Sequence, residues 1–138
     1  MGRRQEVKYA TRPGRYPSTI PLTAAAKKRA FDISKSYTVL VGVVVDLFIL
    51  EMLHDPPVLS NEMAEIPSKL IGLTVDYDIR NRLQWLLKNG SRYGSNRNLL
   101  SATILSEVHT TRVIEELKIK RTSLEWAHYI RGRYHERK

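Results

Sequence analysis

The chain has 138 residues, 42% of them hydrophobic, no cysteine, and a net charge of +9 from 23 Lys and Arg against 14 Asp and Glu. That length suits one domain with its own core, and the lack of cysteine excludes a disulfide framework or a Cys-based zinc site. The excess of bases points to a polyanionic partner, with nucleic acid ahead of a membrane surface.

The charge is sorted along the chain. Residues 1–30 carry eight bases against Glu6, a net of +7. Residues 31–78 carry two bases against eight acids, a net of −6, and residues 79–138 carry thirteen against five, a net of +8. A basic head and a basic tail thus flank an acidic, apolar middle.

Residues 1–22 read as a basic extended arm, because Pro13-Gly14, Pro17 and Pro21 break any helix and apolar residues are few. Basic residues followed by Pro and polar residues do not make a secretory signal. Thr23 caps a first helix that begins at Ala24 and runs to about His54, where Asp55-Pro56-Pro57 ends it. Its later part is apolar nearly all round, as in a central helix or a subunit contact. Val39 to Val45 is also a good strand sequence, but the apolar run continues to Leu53, too long for a typical strand. Asp46 and Glu51 interrupt the run, which argues against a membrane span.

Ser60 or Asn61 caps a short helix through Glu65, stopped by Pro67. Thr74 then caps another, with Asp76 and Asp78 in its first turn, Ile79, Leu83 and Leu86 on one face, and Lys88 and Gly90 at its end. Residues 90–97 form a loop. Asn98 caps the next helix, which places Leu100, Ile104 and Val108 on one face and runs to about Leu117. Thr122-Ser123-Leu124-Glu125 matches a capping box, so a last helix spans about Ser123 to Glu136. The expected fold is all-α: a four-helix-bundle-like domain over 23–138, preceded by the arm over 1–22.

No catalytic signature is present: neither a nucleophile elbow, a P-loop, a His-Glu-x-x-His nor a dinucleotide fingerprint. His128 and His135 share a helix face with Glu125 nearby, but a solvated surface accounts for them better than a metal. Asp46 and Glu51, five apart on a helix, do not face each other as a carboxylate pair, and Asp46 is expected to border solvent or to pair with an Arg such as Arg80 or Arg112. No enzyme, metal or cofactor is expected.

The bases are the candidate contacts. Arg3, Arg4, Lys8, Arg12, Arg15, Lys27, Lys28 and Arg29 form the first group, and Arg92, Arg97, Arg131 and Arg133 the second. Arg80, Arg82 and Lys88 accompany Trp85, and the loop adds Tyr93 among flexible residues. Trp126, Tyr129, Tyr134 and Arg137 add aromatics beside Arg in the last helix, a pairing that suits sugars and bases, although at least one Trp belongs to the core. All these contacts address phosphate or shape, which carry no sequence information.

Two resemblances follow. Residues Asp32 to Val39 resemble the turn and second helix of helix-turn-helix regulators, with Asp32 in the usual Gly position and Tyr37 as an extra residue. The whole arrangement, a basic Pro-containing arm, a long helix and a helical bundle, resembles the major capsid proteins of filamentous archaeal viruses. That resemblance is architectural and spans most of the chain. It implies a structural protein that coats double-stranded DNA without sequence preference, the basic arm and first helix turn clamping phosphates and the apolar helix packing between subunits. The alternatives are a dimeric helix-turn-helix regulator and a helical RNA-binding component of a ribonucleoprotein. The expected partners are nucleic acid, double-stranded DNA ahead of RNA, and another copy or a related subunit. The expected location is the virion or the cell interior, with no signal peptide.

Overall fold

Helix α1 (Ala24–Tyr37) begins where Thr23 accepts a hydrogen bond from the Ala26 N–H at 3.2 Å, the N-cap expected from sequence. The computed structural model that shows this describes residues 15–57, 69–76 and 99–136. A strand β1 (Arg15–Leu22) precedes α1. After it come helix α2 (Val41–His54), strand β2 (Lys69–Asp76), and helices α3 (Leu99–Leu105), α4 (Glu107–Leu117) and α5 (Ser123–Glu136). The helical body is all-α in class. A two-stranded antiparallel ribbon of β1 and β2 is added to it.

α2 is the centre. Every residue from Val43 to Met52 is buried, and α1, α3, α4, α5 and β2 all pack against it. A helix with no polar face can exist only in such a position. Leu22, Ala26, Ala30, Ile33, Leu99, Leu100, Ile104, Val113, Leu117, Trp126, Ala127 and Ile130 close the core around it. Each large apolar side chain placed there contributes about 1.5–3 kcal/mol. Among the described residues, no single helix is long and apolar enough to cross a membrane.

Four sequence expectations change. The single helix over 24–54 is two helices, bent by 117° at residues 38–40. A straight continuation would carry Ala26, Ala30 and Ile33 away from the core that buries them. The helix start expected at Thr74 is instead the end of β2, in which Thr74 and Asp76 are strand residues opposite Pro17 and Arg15. Leu70-Ile71-Gly72-Leu73-Thr74-Val75 is rich in strand formers, and long-range pairing with β1 decides its conformation. Residues 15–22 are extended as expected, but they are a paired strand rather than a free arm. Pro17 and Pro21 share one parity in the ladder, so both can occupy positions whose N–H would point away from the partner strand.

The fourth change is a break at Ser106 in the helix expected over 98–117. Ser106 caps α4 by accepting from the His109 N–H. The restart turns the helix so that His109, Val113 and Leu117 face inward, while Val108, expected inside, is 58% exposed. At the start of α5 the capping box is as expected. The Thr122 N–H donates to Glu125 at 2.8 Å, and the Glu125 N–H donates to Thr122 Oγ1 at 3.1 Å. The helix expected over 60–65 and most of the one over 74–90 lie outside the described residues, as does Asn98.

Candidate nucleic-acid interface

The described residues hold twelve bases and ten acids, a net of only +2 out of the chain's +9. Much of that charge is consumed internally. Glu51, on central α2, is 3% exposed. Arg112 from α4 approaches it at 3.3 Å and also reaches Asp55 at 2.9 Å. Arg133 from α5 lies 3.9 Å from its other oxygen and pairs with Glu116. The Tyr129 hydroxyl donates to Glu116 at 2.7 Å and accepts from Arg133 at 3.0 Å. The network ties α2, α4 and α5 together. Arg112 is thus committed to Glu51 and Asp55 rather than to Asp46.

This placement separates the sequence-derived contacts into groups. Arg133, with a side chain 13% exposed, faces the interior network and not solvent. Arg29 bridges to α4, donating to Glu107 at 2.7 Å and to Thr110 at 2.9 Å. Lys28 is exposed and pairs with Asp32 at 2.9 Å. Lys27 lies 5.9 Å over the Phe31 ring. Lys28, Arg29, Asp32 and Glu107 line an open cleft of about 400 Å³ between α1 and α4, with Ala25, Ile33 and Thr110. Arg131 is exposed on α5, and Arg15 opens β1 opposite Asp76. Arg3, Arg4, Lys8, Arg12, Arg92 and Arg97 lie outside the described residues, with Arg80, Arg82, Trp85, Lys88, Tyr93 and Arg137. The structure therefore places Lys27, Lys28 and Arg29 together at the start of α1, and Arg131 and Arg133 on α5.

The loop between α4 and α5 holds bases that the sequence reading passed over. Arg121 stacks 3.9 Å over Tyr129 and 4.6 Å over Trp126, whose rings meet edge-to-face at 5.7 Å. Its Nη1 and the Trp126 Nε1 are buried without a hydrogen-bond partner; the cation–π contact offsets the loss for Arg121. Trp126 is a core residue, as the aromatic content of the last helix allowed. Lys118 and Lys120 are exposed beside Ile119. The run Lys118-Ile119-Lys120-Arg121 between two helical patterns was the available signal.

Ser106, His109 and Asp55 come together without making a catalytic triad. Nδ1 of His109 is 2.6 Å from Ser106 Oγ, and Nε2 is 2.7 Å from the main-chain oxygen of Asp55. Ser106 Oγ is engaged as a helix cap and the Asp55 carboxylate is 3.7 Å away, so the imidazole pins the end of α2 to the start of α4. Arg112 holds the Asp55 carboxyl below its ordinary range through a hydrogen bond. Burial pushes the Tyr129 hydroxyl up, with its bond to Glu116 adding to the effect. Among the described residues no group of three His, Asp or Glu could hold a metal ion.

The segment resembling a helix-turn-helix, Asp32 to Val39, does contain a helix end and a sharp turn. The helix that follows is α2, whose residues 43–52 are all buried, so none of its sides is open to a DNA groove. No protein-family model matches the chain, and no curated protein or solved structure matches it.

Proposed function

We propose that this chain is a structural DNA-binding protein that coats or packages double-stranded DNA by self-assembly, without reading its sequence. The distribution of charge carries this reading. Buried Glu51 is met by Arg112 and Arg133, so those two bases serve the fold. The excess sits in residues 1–30 and 79–138, with net charges of +7 and +8, against −6 in residues 31–78. A chain whose bases are gathered towards both ends of an acidic, apolar middle suits a protein that holds phosphates with the basic blocks and neighbours with the middle. In this the chain resembles the capsid proteins of filamentous archaeal viruses. The described residues that serve the DNA are Lys27 and Lys28 at the start of α1 and Arg131 on α5, with Arg29 at the cleft edge. Arg133 serves the fold.

Electron microscopy of the purified chain with and without double-stranded DNA tests the proposal, together with a salt titration of affinity. Regular DNA-containing filaments are expected, with binding indifferent to sequence and falling steeply with salt. A large preference for one site over random DNA would make the chain a regulator. A preference for RNA would make it a ribonucleoprotein component. Absence of binding at low salt would end the nucleic-acid reading.

A further inference from the structure

At residues 38–40 the local sequence and the fold disagree. Thr38 sits at φ 54° and ψ 51°, in the left-handed region where a β-branched residue is strained. A helix ending this way ordinarily has Gly there. Leu40 occupies the N-cap of α2 with no side-chain hydrogen bond, and leucine is among the poorest residues at that position. No Gly or Pro occurs from Ala24 to Val41. Ala26, Ala30, Ile33, Tyr37, Val41, Val44 and Phe48 follow one helical period straight through the turn, and all are buried or packed against the core. The apolar period and the lack of Gly or Pro between Ala24 and Gly42 favour one continuous helix through the turn.

The bend is held from outside the turn. Leu22, Ala26 and Ala30 are fully buried, and α1 packs on α3. The Thr23 N–H donates to Ser101 Oγ at 3.0 Å, and Arg29 reaches Glu107 and Thr110 on α4. β1 pairs with β2. These contacts join the segment before Thr38 to elements after α2. An identical surface on a second copy would satisfy them equally.

We propose that residues 38–40 are a hinge through which two copies of this chain exchange their β1–α1 segments. In the exchanged form Thr38 leaves the left-handed region, and α1 and α2 run on as one helix of about 46 Å. Each α1 then packs on the other copy's α3 and α4 with the contacts of the closed form. Exchange gains the released strain and a continuous helix, and it costs the freedom of one molecule. It is therefore favoured by concentration. Short strained hinges are where such exchange arises. The inference is independent of DNA binding and is tested without DNA.

The full chain carrying Thr23→Cys and Ser101→Cys has no other thiol to interfere. It is refolded reduced, from dilute to concentrated, then oxidised and run on a non-reducing gel beside light scattering. A disulfide-linked dimer that grows with concentration is expected. Thr38→Gly fits the left-handed turn and weakens the straight helix, by about tenfold per hinge. Each dimer has two hinges, so its dissociation constant rises about a hundredfold. If the disulfide does not close, the effect of Thr38→Gly on dimerisation by light scattering decides alone. A chain that stays monomeric throughout would overturn the proposal. So would a dimer whose disulfide remains within one chain, or one that Thr38→Gly leaves unchanged.

Discussion

Arg133→Met separates a structural from a DNA-contacting role for the most ambiguous of the candidate arginines. Its guanidinium bonds Glu116 and Tyr129 and lies 3.9 Å from Glu51, with side-chain exposures of 13% for Arg133 and 3% for Glu51. Removing one member of a buried ion pair costs about 3–5 kcal/mol, because the remaining charge stays buried. Here Glu51 keeps Arg112 and Glu116 keeps the Tyr129 hydroxyl, so the loss falls to about 2–3 kcal/mol. With a urea slope of about 1.5 kcal/mol/M, the unfolding midpoint drops by about 1–2 M. The double variant Arg133→Met/Glu116→Met recovers part of this, since no carboxylate is then stranded. Urea unfolding followed by circular dichroism provides the measurement, with a salt titration of DNA binding beside it. The salt slope should not change. A midpoint shift below about 0.3 M, with a salt slope reduced by about one, would refute the reasoning and make Arg133 a phosphate contact.

Removing residues 1–14 deletes Arg3, Arg4, Lys8 and Arg12 and should lower the DNA salt slope by up to about 3.6. Removing residues 1–22 also deletes β1 and fully buried Leu22, so thermal stability falls as well, by at least about 1.5 kcal/mol. Phe48→Ala empties a fully buried site on central α2 and should cost about 3–5 kcal/mol in urea unfolding. The Arg112 hydrogen bond lowers the Asp55 carboxyl and the capping box lowers that of Glu125. Both groups therefore stabilise the fold above their unfolded values near pH 4, and this contribution is lost as the pH falls; Asp55→Asn and Glu125→Gln should flatten the acid limb of a Tm–pH profile. The raised Tyr129 hydroxyl acts at the other end. Its contribution is complete below about pH 10 and is lost as the pH rises further, so Tyr129→Phe should flatten the alkaline limb.

Much of this architecture was legible in the residues alone. The Thr23 cap, the Thr122–Glu125 capping box, the extent of α5 and the central burial of residues 43–52 each rest on short-range chemistry or on an apolar run with no polar face. Such signals need no knowledge of the rest of the chain. The sorted charge was equally plain, since it is a property of the sequence itself. Tertiary structure decided the rest. The bend at Thr38 opposes local preference and exists because α1 must return to the core. β2 takes in Thr74 to Asp76, expected as the start of a helix, because residues 69–76 meet a partner strand about fifty positions earlier in the chain. The restart at Ser106 turned Val108 outward and brought His109 in. Among the candidate contacts, composition could not distinguish Arg133, neutralised by Glu116 and Glu51, from Arg131, exposed two residues away. That difference lies in which side of one helix faces two other helices, and packing alone fixes it.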